Sequence, residues 1–503
     1  HDLDDTRGRA RAEPRARKRV YCPGMSVLPD PEPLDAAPAV GPPMSPLITL
    51  ACTLFVGALV AAFVLLHPPS PLDLLDHPAA SLERLVTREM DVRAALERLS
   101  RPERALYAVF AGLEETPEEA VTWYEELVVT VPSAHAFLYR LILLGEAGRT
   151  DRVLADSAAA KDHFDPGRAD AAALAAAAYG RGTLDPRAAR ALVAELRQKL
   201  PPNWFADTLV MRIGERAGDP ALAAAARSAI EARGTSLIWR WRALVGAELT
   251  VVAIGIVGLL SLRPPPFGVA ISSARVPPPW TLAAGYALFI RGAFGFLVIG
   301  WVPLALLPDR SEIVAVVSFL AGIPLLVLTV RYLHARGLTF RGTFGLGVNA
   351  AARPAMIRVS FALIALGFLG EAAIAAGAAL LGVRSHWADG FPEELLWASW
   401  TLVVFQSVDT VVWTPFFEEL AFRGILYGGL RTRLSAGPAV LLSAGIFAVA
   451  HGYGPTGGAS VLLSGILWAL AYERCRSLWP GVIAHAANNL IVNVTYLGLI
   501  RLP

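Results

Sequence analysis

The sequence predicts an all-α chain: a polytopic transmembrane helical bundle with an N-terminal membrane anchor and a soluble α-helical domain. Three observations carry this expectation. Of 503 residues, 54% are hydrophobic and only 17% charged, against about 45–50% and about 25% in soluble domains, and the mean hydropathy is +0.48. Apolar stretches long enough to cross a bilayer recur through the second half of the chain. Between the first such stretch and the rest lies a charged, Ala-rich region with apolar residues at helical spacing. At roughly 150 residues per domain the length alone argues against a single unit. Forty-five Lys and Arg against 43 Asp and Glu leave a net charge of +2, which gives no basis for a nucleic-acid partner. Cys22, Cys52 and Cys475 are too scattered for a disulfide framework or a cysteine metal cage.

Residues 1–45 are rich in Arg, Pro, Asp and Glu, lack an apolar period, and read as a disordered basic tail. The stretch ahead of Met25, the first methionine, need not be native. PLITLACTLFVGALVAAFVLL follows. At 1.5 Å per residue it spans a hydrocarbon core about 30 Å thick, and residues 46–67 are expected to be a transmembrane anchor rather than a cleaved signal. Residues 68–236 are broken at Pro117, Pro132, Pro166, Pro186, Pro201, Pro202 and Pro220 into short amphipathic segments such as EEAVTWYEELVV. They are expected to form a soluble α-helical domain of stacked hairpins. No clean period of about 34 residues identifies it as a tetratricopeptide array.

Residues 240–503 read as a multi-spanning domain. Candidate spans fall at 244–262, 282–307, 313–331, 357–382, 397–430 (bent at Pro415), 438–453, 459–472 and 481–500, nine with the anchor. If the basic tail is inside, alternation places Arg331, Arg336, Arg341, Arg353 and Arg358 inside, then Arg431 and Arg433, then Arg474 and Arg476, in keeping with the excess of Lys and Arg in cytoplasmic loops. The chain is accordingly expected in a plasma (inner) membrane, in contact with lipid, with residues 68–236 extracytoplasmic and free to bind a protein partner.

Charged side chains in the bilayer cost at least about 2.5–3.5 kcal/mol each, so they need partners or a role. Within TPFFEELAFRGILYGG stand Glu418, Glu419 and Arg423. Glu419 and Arg423 share a helix face in the favourable acid-before-base order; Glu418, turned by about 100°, faces elsewhere. His451 ends FAVAH, and His485 opens HAANN with Asn489 one turn away. A carboxylate in an apolar site can take a proton from water. A histidine can share that proton, and a second histidine with an amide can donate to the oxygen that becomes negative. Glu418, His451 and His485 would also serve as a three-ligand set for a divalent metal such as zinc. HExxH is absent, and metal and metal-free hydrolysis both remain open.

These residues resemble a family. EELAFR matches EExxxR, FAVAH matches FxxxH and HAANN matches HxxxN of the CPBP intramembrane proteases, the group of the CAAX prenyl endopeptidase and the bacteriocin-processing enzymes. The resemblance covers roughly 280–500. It implies an intramembrane endopeptidase acting on a membrane-associated or prenylated-type peptide or protein substrate, approached from the membrane or its cytoplasmic side. It further implies Glu418 as the water-activating base assisted by His451, Glu419 and Arg423 as the supporting pair, and His485 with Asn489 as oxyanion stabilisers. Two other classes use the same residues: a transporter or proton-relay protein, and a catalytically silent scaffold whose outer helices recruit partners. Glu248, Arg291, Glu371 and Asp409 read as helix-to-helix or interfacial groups. His67, His334 and His386 read as solvated span edges. Trp280, Trp301, Trp413 and Trp479 read as an aromatic belt.

Overall fold

A computed structural model describes residues 44–65, 70–111, 117–161, 166–262, 270–306, 316–317 and 319–502. The expected tail up to residue 43, His67, and the turn PDRSE with the start of the third span lie outside the described residues. Every regular element described is helical. Proline sets many of the starts: Pro78, Pro117, Pro166, Pro186, Pro220, Pro455 and Pro480 each occupy the first or second helical position, where a missing N–H costs nothing.

The helical domain begins with Pro78–Leu96 and continues in antiparallel pairs: Pro117–Thr130 with Ala134–Glu146, Thr150–Lys161 with Pro166–Tyr179, and Pro186–Lys199 with Trp204–Arg216. The pairs start at Pro117, Thr150 and Pro186, close to the ~34-residue step of helical-hairpin arrays. The last helix of each pair is followed by a left-handed glycine, Gly148, Gly182 and Gly218, with φ of 76°, 83° and 63°. Only glycine takes that conformation without penalty. Leu141, Ile142, Leu143 and Leu144 are fully buried at the centre, and Tyr139 stacks on Phe205 at 4.0 Å between ring centres.

Pro220–Ser261 is one unbroken helix of 42 residues, about 63 Å long at 1.5 Å per residue. It runs through the expected domain boundary at 236–240 and joins the two parts rigidly. Asp219 caps its start, accepting from Leu222 N–H at 3.1 Å. That bond and Arg190 hold the Asp219 carboxyl below the usual carboxylate range, so the cap persists at neutral pH and weakens only as acid protonates it. Near its start the helix packs on Pro78–Leu96, where Gly234 meets the Asp91 backbone. Fully buried Asp91 pairs with Arg233 at 2.9 Å. Farther along, Gly255 and Gly258 let the Arg353–Leu381 helix approach until a Cβ at Gly255 would collide with the Phe361 carbonyl.

Five helices are long and apolar enough to cross a membrane: Pro220–Ser261, Leu282–Gly300, Ala350–Leu381, Pro455–Cys475 and Trp479–Arg501. Pro46–Ala62, Ile323–His334 and Ala436–His451 are apolar but shorter. The expectation of nine full spans is therefore reduced among the described residues. The expected span 397–430 is not among the five; it carries Asp409, Glu418, Glu419 and Arg423, and it is helical from Trp400 to Arg431 but widens into π-helix at Asp409–Trp413 and Glu419–Tyr427. The protein is a multi-pass membrane protein. The expected anchor, Pro46–Leu65, packs on Leu282–Leu306. There Arg291 donates to the Ser45 carbonyl at 2.6 Å and to Thr49 Oγ1 at 2.9 Å, the helix-to-helix pairing expected for Arg291.

The helices alternate between two faces. One gathers the basic turns: Arg431 pairs with Glu473 at 2.8 Å, Ser477 donates to the Gly345 carbonyl at 2.7 Å, and Ile271 N–H donates to the Cys475 carbonyl at 2.9 Å. The other carries the helical domain. Buried Glu393 accepts there from Asp76 N–H at 2.6 Å, His77 N–H at 3.1 Å and Ser81 Oγ at 2.5 Å. Arg84 and Arg88 donate to the Arg501 and Leu502 carbonyls at 2.8 and 2.7 Å. Trp280 is only 5% exposed and packs on Tyr332 and Phe344, so it is a core residue and not the belt residue expected. His334 is exposed, as expected, whereas His386 pairs with Glu126 at 2.9 Å and is not a solvated edge.

The glycine contact between the two longest helices gives a direct test. Gly255→Ala forces a methyl into the Phe361 carbonyl and should lower stability by about 1–3 kcal/mol, whereas Gly246→Ala faces open space and should be neutral. Thermal unfolding of both variants in detergent checks this; equal midpoints would refute the close packing.

Candidate active site

The glutamate-bearing helix crosses the bundle beside Ala436–His451, Pro455–Cys475 and Trp479–Thr495. π-helical turns offset the side chains they carry and are over-represented at functional sites; here the second one begins at Glu419. Glu419 and Arg423 are each 1% exposed, and Arg423 Nη1 donates to Glu419 Oε1 at 2.8 Å. The guanidinium lies 4.1 Å from the Phe447 ring centre and 5.0 Å from that of Trp468, cation–π contacts that partly replace lost water. Two glycines clear the space: a Cβ at Gly481 would lie 2.8 Å from Glu419 Oε2, and one at Gly465 would lie 3.3 Å from Arg423 Nη2.

His485, 4% exposed, is held between both glutamates. Its Nδ1 lies 3.3 Å from Glu419 Oε1 and its Nε2 lies 3.7 Å from Glu418 Oε2. An ionised carboxylate only accepts, so Nδ1 donates to Glu419 and Nε2 is the nitrogen turned to Glu418. Trp468 stacks on the imidazole at 4.3 Å and 21°, fixing its plane. His451 is set the same way from another helix. Its Nδ1 donates to the Phe447 carbonyl at 2.8 Å, leaving Nε2 4.0 Å from Glu418 Oε2. Glu418 Oε2 is buried and, among the described residues, has no hydrogen-bond partner. One carboxylate oxygen and two imidazole nitrogens thus converge at separations too long for direct hydrogen bonds.

Asn489 is tied down elsewhere. Its Nδ2 donates to the Thr410 carbonyl at 2.8 Å, and Asn493 Nδ2 donates to Thr410 Oγ1 at 2.8 Å. One of the two amide hydrogens of Asn489 is therefore committed to the first π-helical turn, and one remains. Asp409, in that turn, lies within electrostatic reach of Glu418, so it belongs to the surroundings of the site and not to helix packing alone. Glu371 and Glu248 stand within reach of each other, two carboxyl groups and not an ion pair. Sequence reasoning missed Thr410, Trp468, Gly465, Gly481 and Asn493. Of these only the glycines, small residues on helices facing a buried ion pair, left a readable signal.

Glu418, His451 and His485 stand somewhat farther apart than the ligands of a bound zinc. A tetrahedral site with bonds of about 2.0–2.1 Å sets its donors about 3.3–3.5 Å apart, closer than the 3.7 and 4.0 Å found here. Among the described residues no group of three or more His, Cys, Asp or Glu side chains is placed to hold a metal ion.

Residues 400–491 match the family described as Type II CAAX prenyl endopeptidase Rce1-like. Over this segment the chain is similar to that family. The matched segment contains all six residues from Glu418 to Asn489 and leaves residues 1–399 outside. No curated protein and no solved structure matches the chain.

The buried pair and the facing glutamate should separate in their effects. Glu419→Ala strands the Arg423 charge and should cost about 3–5 kcal/mol of stability. Glu418→Gln, isosteric and on a partly open side chain, should leave the unfolding midpoint close to wild type. Thermal unfolding in one detergent measures both, and a stable Glu419→Ala protein would contradict the assigned role of the pair.

Proposed function

We propose that the protein hydrolyses a peptide bond of a membrane-associated substrate with a water activated by Glu418. The observation that carries this reading is the convergence of Glu418 Oε2, which has no hydrogen-bond partner among the described residues, with both histidine Nε2 atoms at 3.7 and 4.0 Å. Water seated there donates one hydrogen to Glu418 and the other to His451. As its oxygen adds to the scissile carbonyl carbon, one O–H bond breaks, the proton passes to Glu418, and the π electrons move to the carbonyl oxygen. His485 in its imidazolium form and the remaining N–H of Asn489 donate to that oxygen. Collapse re-forms the carbonyl and breaks the C–N bond, and the proton held by Glu418 passes to the leaving nitrogen. Glu419 and Arg423 orient His485 and do not react.

The substrate reaches this site at the bundle face that carries the helical domain, because His451 ends its helix on that face. We keep the helical domain on the extracytoplasmic side of a plasma membrane, opposite the basic turns. On that orientation the site opens outward and not to the cytoplasmic side that the family resemblance suggested. The helical domain is then placed to recruit the protein that carries the scissile segment.

Purified protein in lipid nanodiscs, offered a panel of internally quenched peptides with and without a prenylated C-terminus, tests the reading. Wild type should cleave at least one peptide, and Glu418→Gln should lose at least about a thousandfold in kcat. A strong chelator should leave turnover unchanged; loss of turnover that zinc restores would replace the metal-free step. Cleavage retained by Glu418→Gln would overturn the assignment.

A further inference from the structure

The turn after His451 and the loop ahead of Glu393 are built to fit one another. Residues 382–392 join the Arg353–Leu381 helix to the segment that docks the helical domain. On one side this loop grips that domain: His386 Nε2 lies 2.9 Å from Glu126 Oε2, Arg384 pairs with Glu119, and Ala388 is buried in the domain core with Trp387 packed against it. On its other side it grips the turn. Ser385 Oγ lies 2.6 Å from Thr456 Oγ1 and accepts from Thr456 N–H at 3.2 Å. A Cβ on Gly390 would stand 2.8 Å from the Tyr453 ring, one on Gly457 would stand 3.0 Å from Tyr453 Cβ, and one on Gly454 would collide with Asp389. Bare glycines on both strands of contact let the Tyr453 ring lie between them.

Tyr453 is what this clamp holds. Its ring packs edge-on against the His451 imidazole at 5.5 Å between centres. It is 45% exposed, and among the described residues its hydroxyl has no hydrogen-bond partner. The hydroxyl is within electrostatic reach of Glu418. A phenol with an unused O–H on a ring that packs against His451 is a ready donor to a substrate carbonyl, in addition to the amide hydrogen that Asn489 keeps free.

We propose that Tyr453 is a substrate-contacting residue of the active site, and that residues 382–392 are a strap through which the helical domain fixes it there. The proposal rests on the hydrolytic reading above and adds to it a donor and a wall. The hydroxyl bonds the scissile carbonyl oxygen as it turns negative, and the ring borders the residue next to the cleaved bond. The helical domain thereby sets which segments fit, although it contributes no reacting atom.

Two measurements on the full chain in nanodiscs test it. Loss of a hydrogen bond to a charged oxygen should make Tyr453→Phe slower by about tenfold or more in kcat, with little change in KM. Tyr453→Ala should also alter the ranking of the quenched peptides that differ beside the scissile bond, a change that a merely structural role would not produce. If wild type cleaves, Glu418→Gln does not, and both Tyr453 variants keep wild-type kinetics and ranking, the proposal fails while the hydrolytic reading stands. If wild type cleaves no peptide, both fail. Independently of activity, Glu119→Ala with Glu126→Ala should speed amide exchange at Gly452–Thr456 by about fivefold or more; unchanged exchange would overturn the strap.

Discussion

A guanidinium and a carboxylate buried in the middle of a membrane bundle are the constraint to which the remaining parts conform. Removing Arg423 and Glu419 from water is costly unless each meets the other in good geometry. That requirement fixes Phe447 and Trp468 as flanking rings and forces glycine at positions 465 and 481. It also leaves Glu419 with an acceptor lobe for His485. The pair is thus a positioning device. It fixes the Nδ1 hydrogen bond and the orientation of the imidazole that faces Glu418, much as an outer-shell carboxylate orients a metal-bound histidine. Glu418, one residue earlier and without such a partner, is free to act on water.

The second constraint is mechanical. A bundle that opened at the reacting carboxylate would admit lipid and water without selection. Here the opening is bordered by the turn after His451, and that turn is held by a loop whose other contacts belong to the helical domain. The 42-residue helix Pro220–Ser261 and the docking of Glu393, Arg84 and Arg88 make the domain a fixed neighbour and not a tethered one. Substrate choice and chemistry are then set by different parts of one rigid assembly.

Much of the site was legible because its chemistry is expensive. Glu418, Glu419, Arg423, His451 and His485 stood out as polar groups in apolar helices, and they do converge. What was not legible depends on backbone geometry. Nothing in the local sequence announces the π-helical turns at Asp409 and Glu419, and without them neither the reach of Asn489 to Thr410 nor the nearness of Asp409 to Glu418 follows. His386 and Trp280 were misread because exposure at a span edge was inferred from position alone, whereas a second domain and a core cluster cover them. The hairpin period was missed because it lives in Gly148, Gly182 and Gly218 and not in a hydrophobic repeat. Among the described residues five helices meet the length and apolarity of a full crossing; apolar composition does not distinguish such a helix from a shorter one packed among others.

The claim that Glu418, His451 and His485 act together on one water is tested most directly by a multiple-mutant cycle. Glu418→Gln, His451→Ala and His485→Ala would be measured singly and combined, in kcat with one cleaved peptide. Residues that form a unit are non-additive, so the triple variant should be no slower than the worst single one. Losses that multiply across the three sites would mean independent roles, and would contradict a shared water.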